Sequence, residues 1–473
     1  MSSLFRAVRD FFLRTTKHPL GFIGVNLTTL SGVLLLVLLV SSALGFQANP
    51  YLGMVTFLIL PALFILGLLM IPFGSWLDRR RAARHPEALE AFPVYDLNRP
   101  DVRNRLLLIG MLTALNLTIL AIASYKGIEY MDSVSFCGAT CHPVMRPEYT
   151  VYQISPHSRV RCVDCHIGRG ASWFVRSKLS GTRQVFKQAF GTWPTPIETP
   201  IENLRPSRDT CEQCHWPEKF HGDKVQVITH YQEDSTNTPL KTVLLLKIGG
   251  GTPEEGVGRG IHSHIYNRVY YRSDESREKI PWVKVERRDG TSAEYVQGEV
   301  PDSIAARPVR LMDCIDCHNR PTHIYRLPAR ALDLAMDDGS LPNDLPYLKR
   351  EALAAIGESY PDRETAVNSI RSRLVDFYRT NYPALFEADA KKIETAAAAA
   401  AGIWSTYVFP EMKVEWGTYP DHIGHTDFVG CFRCHDEEHV SKDGATISQD
   451  CSTCHSLLAM EEENPEVLKT LFP

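Results

Sequence analysis

The chain has 473 residues, enough for two to four domains, and its 51 basic and 55 acidic residues leave a net charge of −4. Such a balance gives no reason to expect nucleic acid as a partner. The average hides a split chain: the first 126 residues hold nearly all the long apolar runs, and all 12 cysteines follow them.

In chain order, Leu4 to Arg14 alternates bulky apolar and basic residues, as suits a short amphipathic helix on a membrane surface. Phe22 to Leu44 is apolar for about the length that crosses a bilayer and reads as an uncleaved signal anchor. Leu52 to Trp76 predicts a second span, with Pro61 and Pro72 tolerated inside a membrane, and Leu106 to Ser124 predicts a third. Asn26, Thr28, Thr29, Ser31 and Asn116 fall inside spans one and three, where helix packing is their expected role. Arg6, Arg9, Arg14 and Lys17 precede span one, and Arg79, Arg80, Arg81 and Arg84 follow span two, so both flanks are expected in the cytoplasm. Three crossings then deliver everything after Tyr125 to the periplasmic side of a bacterial inner membrane. No Asp, Glu, Lys or Arg lies well inside a span, so no ion path or pump is expected.

Beyond the membrane, Cys162-Val163-Asp164-Cys165-His166 repeats its C-x-x-C-H spacing at Cys211, Cys214 and His215, at Cys314, Cys317 and His318, at Cys431, Cys434 and His435, and at Cys451, Cys454 and His455. An earlier copy, Cys137, Cys141 and His142, carries one extra residue between its cysteines. This is the attachment pattern of c-type haem: two thiols tether the porphyrin edge and the next imidazole reaches the iron. Zinc sites do not require a His directly after each Cys pair, and thioredoxin-type dithiols want a strand-helix-strand context. Six covalent haems are therefore expected, and they account for every cysteine.

Between the motifs, Thr242 to Ile248, Arg268 to Arg272 and Trp282 to Glu286 predict strands, and Asp289-Gly290 followed by Ala293 to Val296 predicts a hairpin. Leu345 to Ser359, Arg363 to Tyr378 and the Ala-rich Asp389 to Thr406 predict helices. The expected fold is a membrane-anchored multihaem cytochrome c, with three transmembrane helices plus a mainly helical, loop-rich haem domain with a small β insert. The expected division is a cytoplasmic N-terminus at 1–20, a membrane anchor at 21–125 and haems one to three at 126–223. A β-containing insert with haem four follows at 224–330, a helical insert at 331–410 and haems five and six at 411–473. The closing Glu461-Glu462-Glu463 run reads as a solvated face.

Each iron has room for a second axial ligand. Of 17 histidines, six follow the motifs, and His18 and His85 fall on the cytoplasmic side. Nine remain: His157, His221, His230, His262, His264, His323, His422, His425 and His439. Proximity to a motif favours His157, His221 and His323, then His425 and His439; for haem one, Met145 offers a thioether that would raise its potential. At the membrane exit, Lys126, Glu129 and Asp132 are candidate proton acceptors.

With its anchor, the motif and Met at Cys137 to Met145, Ser155-Pro156-His157 ahead of motif two, and Trp173 to Gly181 after it, the chain resembles the NapC/NirT family of membrane-anchored multihaem quinol dehydrogenases. The resemblance spans roughly residues 105 to 215 and implies quinol oxidation beside haem one, with Lys178 matching the family's quinol-site lysine and His157 a distal ligand. This chain adds two spans and two motifs to the family's usual pattern. The expected activity is oxidation of menaquinol or ubiquinol, with electrons relayed to a periplasmic acceptor protein. The alternatives are a wiring subunit bound to partners in a larger respiratory complex, and a terminal reductase with one open haem.

Overall fold

The computed structural model describes residues 18–43, 55–83, 96–140, 144–167, 171–201, 206–217, 222–249 and 260–472. The expected amphipathic N-terminus, Cys141, His142 and His221 lie outside these, as does the side chain of Lys178. The chain divides into two compact units, residues 1–142 and 143–473.

The first unit contains α1 (Pro19–Ala43), α2 (Leu60–Ala83) and α3 (Pro100–Met131), each with a stretch long and apolar enough to cross a membrane. The second span, expected from Leu52, is described from a π turn at Val55–Ile59 that leads into α2, where Pro61 fits the first turn of the α-helix because its missing N–H leaves nothing unpaired. The third runs past Ser124 to Met131, so Lys126 and Glu129 sit on its last turns as an exposed ion pair, 2.7 Å apart. Helices α1 and α2 meet through small residues. A Cβ on Gly67 would lie 2.5 Å from Thr28 Oγ1, and one on Gly24 would lie 2.9 Å from the Gly67 carbonyl. Lipid offers no hydrophobic drive for helix pairing, so close backbone approach and local hydrogen bonds supply it. Ser31, buried beside them, donates to the Leu27 carbonyl at 2.6 Å. Leu30, Val33, Leu36 and Val37 stay exposed.

The second unit opens with α4 (Arg146–Gln153) and α5 (Ala171–Phe190). A three-stranded sheet of order β1-β2-β8 is built from β1 (Asp223–Tyr231), β2 (Pro239–Lys247) and β8 (His455–Glu462). A five-stranded sheet of order β6-β3-β4-β5-β7 comprises β3 (Arg268–Arg272), β4 (Trp282–Glu286), β5 (Ser292–Gln297), β6 (Arg310–Leu311) and β7 (His439–Ser441). Both sheets are completed from the C-terminal region, so residues 439–462 interleave with the segment 224–330. The Glu461 to Glu463 run closes β8 and is exposed.

Helices α6 (Pro328–Asp337), α7 (Leu348–Ile356), α8 (Arg363–Asn381) and α9 (Pro383–Tyr407) hold the largest protein-only core. The Ala-rich run serves packing there: Ala396, Ala397, Ala400 and Ala401 are buried in the same cluster as Ala366, Ile370 and Leu374 of α8. Helix α9 breaks at Asp389, the residue at which the sequence predicts its start. By contrast, Val163 is the one buried apolar side chain among the residues from 156 to 217 whose side chains are described.

Asp333 of α6 ties the helices to β1. It accepts from the Tyr231 N–H at 3.0 Å and from the fully buried Lys349 ammonium, with His230 Nδ1 3.0 Å away on the surface side. Burial draws Lys349 below its ordinary range, and Asp333 opposes that. Removing one partner strands the other charge, so Lys349→Met is expected to cost about 3–5 kcal/mol in denaturant unfolding and to leave the haem spectrum unchanged.

Candidate haem-ligating site

The motifs stand on short turns fixed by their own residues. In the first unit, Phe136–Thr140 forms a π turn, whose wider winding absorbs the extra residue of motif one. The Tyr130 hydroxyl and Thr140 Oγ1, 3.2 Å apart, hold it to the end of α3. In the second unit, Arg161 and Asp164 clasp motif two with a 2.8 Å ion pair. Motif four is anchored by a buried carboxylate: Asp316 accepts from the Tyr271 hydroxyl at 2.7 Å, from Arg310 Nε at 2.9 Å and from the Asp313 N–H at 2.7 Å.

Neighbouring motifs are tied to one another in chain order. The Ser207 N–H, at the start of the motif-three turn, donates to Asp313 at 3.0 Å, and Cys211 lies beside Cys314. Arg433, inside motif five, donates to the Asp316 carbonyl inside motif four at 2.7 Å. Cys165 lies near Cys211, and Cys317 and Cys454 each lie near Cys431. Motifs two, three, four, five and six therefore follow one another in space as in sequence.

The histidines pair. His166 faces His323 with ring centroids 6.4 Å apart, His215 faces His157 at 6.0 Å and His318 faces His262 at 6.5 Å. His435 faces His264 at 5.8 Å and His455 faces His425 at 6.3 Å. Two metal–nitrogen bonds of about 2 Å, plus roughly 1 Å from each nitrogen to its ring centre, call for about 6 Å. Among the described residues no three His, Cys, Asp or Glu side chains converge on one point. Opposed pairs suit a porphyrin iron, whose equatorial positions are already filled, whereas a structural zinc site needs four protein ligands.

Second contacts select the ligating nitrogen. Nδ1 of His157 donates to the Pro321 carbonyl at 3.1 Å, that of His262 to Ile248 at 3.1 Å, that of His264 to Ile261 at 2.7 Å and that of His323 to Glu148 at 3.0 Å. Each bond leaves Nε2 with its lone pair toward the facing ring. Burial lowers His166, His262, His264 and His318, and lowers His323 to about 4, so these rings are neutral, the form that coordinates.

His439, expected among the distal ligands, is engaged elsewhere. Fully buried, its Nδ1 meets Asp436 at 2.9 Å and its Nε2 meets the Ile280 carbonyl at 2.6 Å, which leaves no nitrogen for iron. His422 likewise has both nitrogens in hydrogen bonds, to Asp316 and Glu278. Proximity to a motif did not single out His262 and His264; the His-x-His spacing just ahead of the strand Arg268–Arg272 is the signal that would have. Of the membrane-exit candidates, Lys126 and Glu129 lie on the last turns of α3 and Asp132 caps it; Lys178, the quinol-site lysine implied by the resemblance, lies on α5.

The model of the NapC/NirT cytochrome c family, N-terminal region, matches residues 99–204. Cytochrome c-type protein ImcH of Geobacter sulfurreducens is 42% identical over 452 residues, covering 94% of this chain and 89% of that protein. The chain belongs to the NapC/NirT cytochrome c family. Two shorter relatives match about a fifth of this NapC/NirT cytochrome each. Cytochrome c-type protein NrfH of Wolinella succinogenes is 27% identical over 105 residues, 22% of this chain and 59% of its own length. Cytochrome c nitrite reductase subunit NrfH of Nitratidesulfovibrio vulgaris is 28% identical over 101 residues, 21% of this chain and 62% of its own. No solved structure matches. As a NapC/NirT cytochrome the chain carries covalently bound haem c and is anchored in the inner membrane by its apolar helices.

A ligand variant and a non-ligand variant separate these roles. His323→Ala is expected to turn one haem from low-spin to high-spin in electron paramagnetic resonance, and His439→Ala is expected to leave the low-spin count unchanged.

Proposed function

We propose that this cytochrome carries six haems, oxidises a membrane quinol, menaquinol or ubiquinol, and relays the electrons to a periplasmic acceptor protein. The observation that carries the reading is the succession of five opposed histidine pairs on motifs tied together in chain order. When bound, each haem supplies one-electron chemistry at its iron. The chain's part is to hold the groups in series: His166 with His323, His215 with His157 and His455 with His425 are axial pairs, and Met145 is the second ligand beside His142.

On the quinol side, Lys178 binds a quinol oxygen, as the family resemblance implies, and Lys126, Glu129 and Asp132 receive the two protons that leave with the electrons. The arginine-flanked ends of the first two spans are cytoplasmic and the motifs periplasmic, so the protons are released outside. Arg80, stacked 4.0 Å over the Trp76 ring, supports a membrane boundary there. Every described motif histidine faces a second imidazole, which weighs against an open haem that binds substrate.

The test is anaerobic addition of a menaquinol analogue to the protein in lipid, following the haem alpha band. Wild-type protein is expected to be reduced, and Lys178→Ala to be reduced at least tenfold more slowly by quinol but to the same extent by dithionite. No reduction of wild type by quinol would mean that electrons enter from a protein partner, as in a complex subunit.

A further inference from the structure

Two of the facing histidines stand apart from the rest: His262 and His264 come from one short turn, residues 260–267, outside the region matched by the family model. His262 lies parallel to His318 of motif four, 7° between ring planes, and His264 lies at 82° to His435 of motif five. The two rings therefore serve different motifs from positions two residues apart.

The turn is held from several sides. The N–H groups of Ile261 and His262 donate to the Lys247 and Ile248 carbonyls at 2.9 Å each, which docks the turn on the end of β2. Arg208, from the motif-three turn, donates to the Ile265 carbonyl at 3.3 Å. Gly260 makes the approach possible: its φ is +85°, and a Cβ there would lie 2.5 Å from the Lys247 carbonyl. The same Lys247 holds motif six, its N–H donating to the Cys454 carbonyl at 2.8 Å and its Nζ to the Ser452 carbonyl at 2.5 Å.

We propose that this turn is a two-pronged ligand, in which His262 closes the second axial position of the motif-four haem and His264 that of the motif-five haem. It rests on the haem-relay reading and deepens it: one backbone segment sets ligand orientation at two successive irons, so a displacement of the turn disturbs both. The end of β2 extends that support to motif six, making the last three sites one mechanical block.

The test uses the full-length protein in detergent, with every haem attached as verified by intact mass, and reads electron paramagnetic resonance of the oxidised form. His262→Ala and His264→Ala are each expected to convert one low-spin haem to high-spin, and the double variant two, with added imidazole restoring the low-spin signals. His262→Met keeps a ligating side chain and is expected to stay low-spin with one midpoint potential raised. Gly260→Ala is expected to alter two low-spin signals at once. His230→Ala, a surface histidine on Asp333, is the control and is expected to change none.

A His262→Ala or His264→Ala protein that remains wholly low-spin without imidazole overturns the assignment, as does an unshifted set of potentials in His262→Met. A Gly260→Ala protein with one altered signal or none overturns the shared support. These outcomes are independent of the donor: a wild type that quinol does not reduce, yet shows the expected spin changes, loses only the quinol reading.

Discussion

A c-type haem iron with two histidine ligands makes a demand that its motif alone does not meet: two imidazoles on opposite sides of one macrocycle, their ring centres about 6 Å apart. The motif supplies one of them automatically, because its histidine follows the cysteines. The other must come from elsewhere, and here the imidazoles that face His166 and His435 come from far along the chain, His323 and His264. On the proposed ligation each pair would close a loop of polypeptide as a disulfide does, through a metal–ligand bond. That reading accords with Val163 being the one buried apolar side chain among the residues from 156 to 217 whose side chains are described. Where haems fill the interior, apolar side chains have little left to bury.

The rest of the second unit divides that labour. Helices α6 to α9 form a conventional core in which alanines let α8 and α9 approach closely, and Lys349 and Asp333 tie that core to β1. The two small sheets act as brackets for the motifs. Tyr271 on β3 and Arg310 on β6 hold the Asp316 carboxylate of motif four, and β8 begins at the motif-six histidine itself. The motif intervals thus carry tertiary information: Asp316 gives its side chain to the five-stranded sheet and its carbonyl to Arg433 of motif five. A single buried carboxylate fixes one motif and helps to fix the next.

What could be read from sequence follows the range of the forces involved. Haem motifs, membrane spans and the strands at 268–272 and 282–286 are local patterns of spacing, length and β-branched or aromatic content, and apart from the third span, which runs on to Met131, they stand where the residues predict them. Strands β7 and β8 were not legible, because each is short or follows a cysteine motif and exists only through pairing with residues more than a hundred positions earlier. Distal ligation was only partly legible for the same reason. His157, His323 and His425 lie near motifs, but nearness in sequence also pointed to His439, whose ring is held by Asp436 and the Ile280 carbonyl. His262 and His264 lie 50 or more residues before the motifs they face, and the end of β2 brings them there. A free Nε2 marks a ligand, and only the tertiary hydrogen bonds reveal it.

The most direct measurement is an experimental structure of the haem-loaded protein in a lipid nanodisc, at a resolution that shows the axial bonds. Each iron from motif two to motif six should lie between the two imidazoles that face each other here, and the macrocycles should follow one another in chain order. An iron of these motifs bound by His439 or His422, an iron with one protein ligand, or a gap between consecutive macrocycles would contradict the continuous histidine-ligated relay.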